Sequence, residues 1–304
     1  MSVSASTVKL LREKTGAGMM DCKKALTETD GDLEAAIDWL RKKGLSAAVK
    51  KAGRVAAEGK VVALSGSNRG VLLEVNTETD FAAKNGHFIS FADTLSQIVL
   101  TQAPATMEAL LELDYPDTGR NVGAELTYMI STIGENMNIR RFESQQVTSG
   151  LVANYIHMGG KIGVLVALES DSTSAEGLNE LGKKLAMHIA ASAPPFLDRH
   201  SVPAEVVERE RAILMDQARD SGKPEAIIEK MVQGRISKFY GESCFLEQPF
   251  VMDPDMTVTQ AIDAAAKGLG AKVQVTGFSR FVLGDGIEKE VKDFAQEVAQ
   301  QLGQ

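Results

Sequence analysis

Cysteine is almost absent from this chain: it has two, Cys22 and Cys244, far apart in the sequence. That spacing makes neither a metal-ligand pair nor a redox pair. With no disulfide framework, a reducing compartment is expected. Histidine is scarce as well, with four residues, and Trp39 is the single tryptophan. No Cys/His pattern of a zinc site occurs. The chain has no G-x-x-x-x-G-K-[ST] loop, no G-x-G-x-x-G turn and no serine nucleophile elbow, so it carries no nucleotide-binding or hydrolase signature of its own. There is no run of about 18 apolar residues, and a membrane-spanning helix is not expected. The start Met1-Ser-Val-Ser-Ala lacks the basic and apolar regions of a signal peptide. The expectation is a soluble, cytoplasmic protein.

The 304 residues are 44% apolar, enough for a sizeable core divided among two or three domains. Formal net charge is −8, which disfavours non-specific nucleic-acid binding because phosphate repels the chain. The charge is uneven. Residues 1–60 hold 12 Lys/Arg and 8 Asp/Glu, a net +4, whereas the remainder is −12. The first segment therefore suits an acidic partner surface.

Residues 6–43 read as three short helices. Thr15-Gly-Ala-Gly18 breaks the first, and Met19–Leu26 makes the second. Asp30-Gly-Asp32 caps the third, with Leu33, Ile37 and Leu40 on one face. Gly44 is expected to end it, leaving Ala47–Gly59 as a linker. Lys60–Leu64 and Gly70–Asn76 then flank a turn composition, Ser65-Gly-Ser-Asn-Arg69. Helices around Phe88–Val99 and Val122–Ile133 lead to a third strand at Asn136–Phe142.

The same order recurs. Leu151–Ile156 and Ile162–Leu168 flank His157-Met-Gly-Gly-Lys161. A helix follows over Ala175–Ala191, then one near Val258–Ala266 and the strand Val273–Val282. The pattern predicts an internal duplication within an α+β fold, each half a small antiparallel sheet with helices on one face. The second half is interrupted by Ala204–Arg219 and Glu225–Phe239. These read as a helical hairpin with Val206, Val207 and Leu214 facing Ile227, Ile228, Met231 and Ile236, and with Pro224 in the first turn of its second arm. Ile287–Leu302 is amphipathic, with Val291, Phe294, Val298 and Leu302 on one stripe. The resulting division is 1–55 as a helical module and linker, 56–145 and 146–195 with 251–284 as two core subdomains, 196–250 as the inserted hairpin, and 285–304 as a C-terminal helix.

The informative loop is Thr77-Glu-Thr-Asp-Phe-Ala82, where an acid and a large aromatic adjoin after an apolar strand. Asp80 can simply cap the next helix, and Phe81 can simply staple it to the sheet. His188 reads as a helix residue tucked under the sheet, and His87 and His200 as loop residues.

Three segments carry a resemblance. Leu11-Arg-Glu-Lys-Thr-Gly-Ala-Gly-Met-Met-Asp-Cys-Lys-Lys-Ala-Leu26 resembles the N-terminal signature of the elongation factor Ts family. Glu74-Val-Asn-Thr-Glu-Thr-Asp-Phe81 resembles its second signature, and Gly134-Glu-Asn-Met-Asn-Ile-Arg-Arg141 its third-strand motif. His157 sits in a matching hairpin. The likeness covers essentially the whole chain. It departs at Ala82, where the family usually has Val, at Thr77, where Cys, Ser or Val is common, and in a longer insert near Tyr115–Arg120.

The resemblance implies a guanine nucleotide exchange factor for elongation factor Tu, neither an enzyme nor a cofactor or metal binder, with no direct nucleic-acid contact. It implies a UBA-like three-helix module docking on the partner's GTPase domain. Thr79, Asp80, Phe81 and Ala82 would dislocate the partner's Mg²⁺, with Phe81 as a wedge helped by Ile133 and His157. Arg12, Met19 and Met20 would support binding. The C-terminal helix would either pack on the core or also touch the GTPase domain, and the hairpin is a candidate for self-association. Two other readings stay open. The basic run Arg41-Lys-Lys43, Lys50-Lys51 and Arg54 suits an RNA-binding translation accessory protein. An enzyme using Asp80 as acid or base would need His157 as its partner.

Overall fold

The structure is a computed structural model and describes residues 3–15, 17–219 and 224–288. The chain divides into two compact units, one drawn from Met1–Lys60, Leu73–Arg141 and Val282–Gln304, the other from Val61–Leu72 and Phe142–Phe281. The fold is α+β.

The first three helices, α1 (Ala5–Thr15), α2 (Met19–Glu28) and α3 (Leu33–Lys51), bury Val8, Leu11, Cys22, Ala25, Leu26 and Ala36 together. Asp32 caps α3 by accepting from the Ala35 N–H at 2.9 Å. Gly44 does not end this helix, which runs on to Lys51. The residues after Gly44 are good helix formers, and the second half of α3 packs on a later helix, α7 (Val122–Ile133). Gly44 is buried there, and a Cβ at that position would lie 3.5 Å from the Ser131 Cβ. The expected linker thus shrinks to a few residues, because packing outweighs the propensity cost of one glycine.

Next comes a hairpin of β1 (Glu58–Ser65) and β2 (Arg69–Thr77), closed by the Gly66 N–H donating to the Arg69 carbonyl at 2.8 Å. A four-residue helix α4 (Asp80–Ala83), then α5 (Gly86–Gln102), α6 (Met107–Glu112), β3 (Asp114–Tyr115), β4 (Arg120–Asn121), α7 (Val122–Ile133) and β5 (Met137–Gln146) complete this run. The second run is β6 (Gly150–His157), β7 (Ile162–Ser170), α8 (Ala175–Ser192), the hairpin α9 (Ala204–Arg219) and α10 (Glu225–Ser243), β8 (Pro249–Phe250), β9 (Asp253–Thr257), α11 (Val258–Leu269) and β10 (Val273–Val282). His87 falls in the first turn of α5 rather than in a loop.

Strand order is β1-β2-β5 in one sheet and β10-β7-β6 in the other, so the second strand of each hairpin is central in both. This explains the nearly continuous burial along β2 and β7. Matched glycines mark the duplication. Gly59 and Gly150 open their hairpins at φ +133° and +113°, and a Cβ on either would lie 2.1 Å from a carbonyl oxygen, that of Val75 or Leu168. No L side chain fits there. Within the second unit, α8 packs on β6 and β7 around Leu181, Leu185 and Ile189. Gly182 lets that helix approach closely, since a Cβ would sit 2.4 Å from the Ala153 Cβ.

The inserted arms bury Leu214, Ala218, Ile228, Val232 and Ile236 against one another, with Met215 and Tyr240 alongside. Ile227 is instead exposed, and Val206 and Val207 lie outside this cluster. Leu214, Ile228 and Ile236 of the expected stripe are thus in the cluster, and Ala218 and Val232 join them where Val206, Val207 and Ile227 do not. His188 is fully buried between Phe245 and Phe250. Its Nδ1 accepts from the Val251 N–H at 3.1 Å, so Nε2 carries the proton toward Gln248 Oε1 at 2.8 Å. Burial pushes its pKa below the ordinary 6.5, although Gln248 favours the charged form. The stripe expected over Ile287–Leu302 lies outside the described residues beyond Glu288.

The two helical glycines should respond oppositely to the same change. Gly44→Ala should raise stability by about 0.5–1 kcal/mol, and Gly182→Ala should lower it by about 1–3 kcal/mol through overpacking, both read by urea denaturation. A neutral His188 contributes stability that is complete above pH 6.5 and is lost as pH falls through its lower folded-state value. The urea midpoint should therefore drop below pH 6.5 in the parent, and less in His188→Leu.

Candidate functional site

Phe81 is 81% exposed, the most exposed of the large apolar side chains among the described residues. It sits on α4, a single turn, yet the turn is held firmly. Thr79 is the N-cap and its Oγ1 accepts from the Ala82 N–H at 3.2 Å. The Glu135 carboxylate accepts three bonds: from Thr79 Oγ1 at 2.6 Å, from the Thr79 N–H at 2.9 Å and from Thr77 Oγ1 at 2.9 Å. Glu78 faces the other way and accepts from the Asn136 N–H at 2.6 Å, while Asn136 Nδ2 donates to the Arg54 carbonyl at 2.7 Å. The strand exit at 77–79 and the helix-to-strand turn at 134–136 thus grip each other with two carboxylates.

A third carboxylate lies deeper. Glu74, fully buried in β2, accepts from Arg141 Nε at 2.7 Å, Arg140 Nη1 at 3.0 Å, the Gly284 N–H at 2.8 Å and Asn76 Nδ2 at 3.1 Å. Arg141 also donates to the Val282 carbonyl at 3.1 Å, and Arg140 to that of Asp285. Burial by itself would push the Glu74 carboxyl up; the Gly284 N–H, Asn76 and the two guanidiniums outweigh it and hold the pKa below 4.5. The second and third signature segments are therefore one hydrogen-bonded assembly.

The other candidates are distributed. Asp80 is exposed and pairs with Lys84 Nζ at 2.6 Å, and that ammonium also lies 5.9 Å from the Phe81 ring centre. Ala82 is buried beneath the turn. Ile133 is half-buried at the end of α7, two residues before Glu135. Arg12 is exposed on α1, and Met19 and Met20, 59% and 73% exposed, open α2. His157 is exposed at the end of β6 in the second unit, its Nδ1 2.9 Å from the Tyr155 hydroxyl. The structure thus joins Thr77 and Thr79 to Glu135 in one hydrogen-bonded assembly that carries Asp80, Phe81 and Ala82, whereas Ile133 is near it only in sequence. Glu135, Glu78 and Glu74 were missed by sequence reasoning as site residues. Their signals were available: a carboxylate just after the helix-ending Gly134, and a lone charge inside the apolar run Gly70–Val75.

Among the described residues no cluster of three His, Cys, Asp or Glu side chains is placed to hold a metal ion. No helix among them is long and apolar enough to cross a membrane.

Comparison with known proteins supplies the class. A family model described as elongation factor TS matches residues 78–285. The curated elongation factor Ts of Magnetococcus marinus is 63% identical over 299 residues, covering 98% of each chain. Those of Syntrophotalea carbinolica and Paramagnetospirillum magneticum are each 54% identical, covering 98% and 99% of this chain and 99% and 97% of their own. This chain belongs to the elongation factor Ts family.

Glu74 carries a testable consequence. Its depressed pKa means that its contribution is complete above pH 4.5 and is lost as pH falls through its lower folded-state value. Glu74→Gln should cost about 3 kcal/mol at pH 7 by leaving two guanidiniums poorly matched, and should flatten the acid limb of the stability profile below pH 4.5. Equal acid limbs in parent and variant would refute the assignment.

Proposed function

We propose that this chain is a guanine nucleotide exchange factor: it binds elongation factor Tu carrying GDP, displaces Mg²⁺ and GDP, and leaves the nucleotide-free partner able to take up GTP. The exposure of Phe81 on a rigidly held turn carries the reading. A phenyl ring held in water is poised to gain about 1.5–3 kcal/mol on burial in a partner. Holding it on a rigid turn removes most of the ordering cost of that burial.

Mg²⁺ tolerates only near-octahedral ligation at short distances. Displacing one ligand-bearing element of the partner by about an ångström is therefore enough to release it. Without the ion the diphosphate charge is poorly neutralised and GDP departs. Phe81 is the wedge in this reading, Asp80 acts near the partner's metal-positioning helix, and Thr79 and Ala82 shape the turn. Ile133 and His157 support it, and Arg12, Met19 and Met20 dock a UBA-like module on the GTPase domain. Coupling is reciprocal: bound GDP weakens the exchange factor by the factor with which the exchange factor weakens GDP. GTP uptake can thus release it, and the cycle stays catalytic. The reading places the protein in the cytoplasm, with α9 and α10 as an arm for self-association.

The test is release of fluorescent GDP from elongation factor Tu in the presence of Mg²⁺. Substoichiometric parent protein should accelerate release strongly. Phe81→Ala should slow the accelerated rate about tenfold to a hundredfold, and Asp80→Ala should slow it by less, with circular dichroism unchanged for both. No acceleration by the parent would sink the function, and full activity in both variants would sink the role of the turn.

A further inference from the structure

The internal duplication supplies a control experiment within one chain. Glu78 and Asp171 occupy equivalent places after their central strands, and Gly134 and Gly270 end equivalent helices in the left-handed conformation. In the first copy Glu78 accepts from the Asn136 N–H at 2.6 Å; in the second, Asp171 accepts from the Lys272 N–H at 2.7 Å. One carboxylate per copy is therefore what this fold uses to fasten strand exit to helix end.

The first copy has an additional fastening. Glu135 lies where the second copy has Ala271. In the second copy the Ser172 N–H, equivalent to that of Thr79, is satisfied locally by Ser170 Oγ at 3.0 Å, and Ser170 Oγ donates to the Lys272 carbonyl at 2.7 Å. In the first copy the corresponding N–H and the two hydroxyls of Thr77 and Thr79 all turn to Glu135. The Thr79 hydroxyl is thereby orientated with its proton toward Glu135 and a lone pair toward the Ala82 N–H. Charge-assisted bonds of this kind are stronger than neutral ones. The chain of bonds from Glu135 through Thr79 to Ala82 brackets Phe81 in sequence, and the Phe81 carbonyl accepts from the Lys84 N–H at 3.2 Å while its ring stays exposed.

From this we infer that Glu135 is a positioning residue for the exposed Phe81: its carboxylate locks the Thr79 cap, and through it the direction in which the ring is offered to the partner. Its role in exchange rests on the function proposed above; its role in holding the turn does not. Asp171 does the purely architectural half of the same job in the second copy, where no large side chain is presented.

The test uses the full chain with Glu135→Ala, Glu135→Gln and, as a control, Asp171→Ala. Amide hydrogen exchange read by NMR on the free protein reports the turn, and GDP release from elongation factor Tu reports its use. In Glu135→Ala, protection at Thr79 and Ala82 should fall about tenfold or more, with Leu72 and Leu73 in β2 unchanged. The maximal rate of accelerated GDP release should fall about tenfold, more than half-saturation shifts. Glu135→Gln, which keeps an acceptor for Thr79 and Thr77, should recover most of both losses. Asp171→Ala should leave GDP release at the parent rate. Unchanged protection at Thr79 and Ala82 in Glu135→Ala overturns the positioning role whatever the exchange rate does. Lost protection with full exchange activity overturns the use of this turn in exchange. Should the parent itself release no GDP, the proposed function fails, while the amide measurement still decides the positioning role.

Discussion

A carboxylate buried in a central strand must be matched, and matching Glu74 draws three separate stretches of chain to one point. β2 supplies the charge, β5 supplies Arg140 and Arg141, and Gly284 brings in the segment that follows β10. An isolated ionised carboxylate in that setting would cost many kcal/mol. Every element that reaches it is consequently held in register. Such a pair is weak evidence of net stability, because a well-packed apolar group could replace it. What it does here is specify which segments meet, and the two outer carboxylates, Glu78 and Glu135, are aligned by that meeting.

The consequence is a turn with side-chain bonds from outside itself, where single helical turns usually have none. A four-residue helix has too few internal bonds to persist by itself. The Phe81 turn adds to its few backbone bonds the side-chain cap of Thr79 and, across the helix-to-strand junction, the bonds of Thr79 to Glu135. This is how an 81% exposed aromatic can be held without collapsing onto its own protein. The surface ion pair between Asp80 and Lys84 adds little by itself, since exposed pairs contribute about 0–1 kcal/mol.

Duplication gave the fold two versions of one solution. Gly59 and Gly150, Glu78 and Asp171, and Gly134 and Gly270 repeat the same backbone demands in both copies. The copies diverge where one presents Phe81 and the other a run of small hydroxyl residues, Ser172-Thr-Ser174. The inserted arms, α9 and α10, enter only the second copy, and Gln248, bonded to His188, donates to the Glu242 carbonyl near the end of α10 at 2.6 Å.

Local signals sufficed for a good deal: the longer helices, the two main hairpins, the Asp32 cap and the repeated order were legible because hydrophobic period and turn chemistry act over a few residues, whereas Thr79 rather than Asp80 caps α4 and Phe81 stands exposed instead of stapling that helix to the sheet. Long signature segments made the family recognisable. Tertiary structure alone decided that α3 passes through Gly44, because the stabilising neighbour, Ser131, is distant in sequence. It also decided that Ala218 and Val232 join Leu214, Ile228 and Ile236 between α9 and α10, and that Thr77, a departure from the family pattern, spends its hydroxyl on Glu135. The grip of Glu74, Glu78 and Glu135 was hidden for the same reason. A carboxylate in a sequence shows its charge but not its partners, and here every partner that matters arrives from another element of the fold.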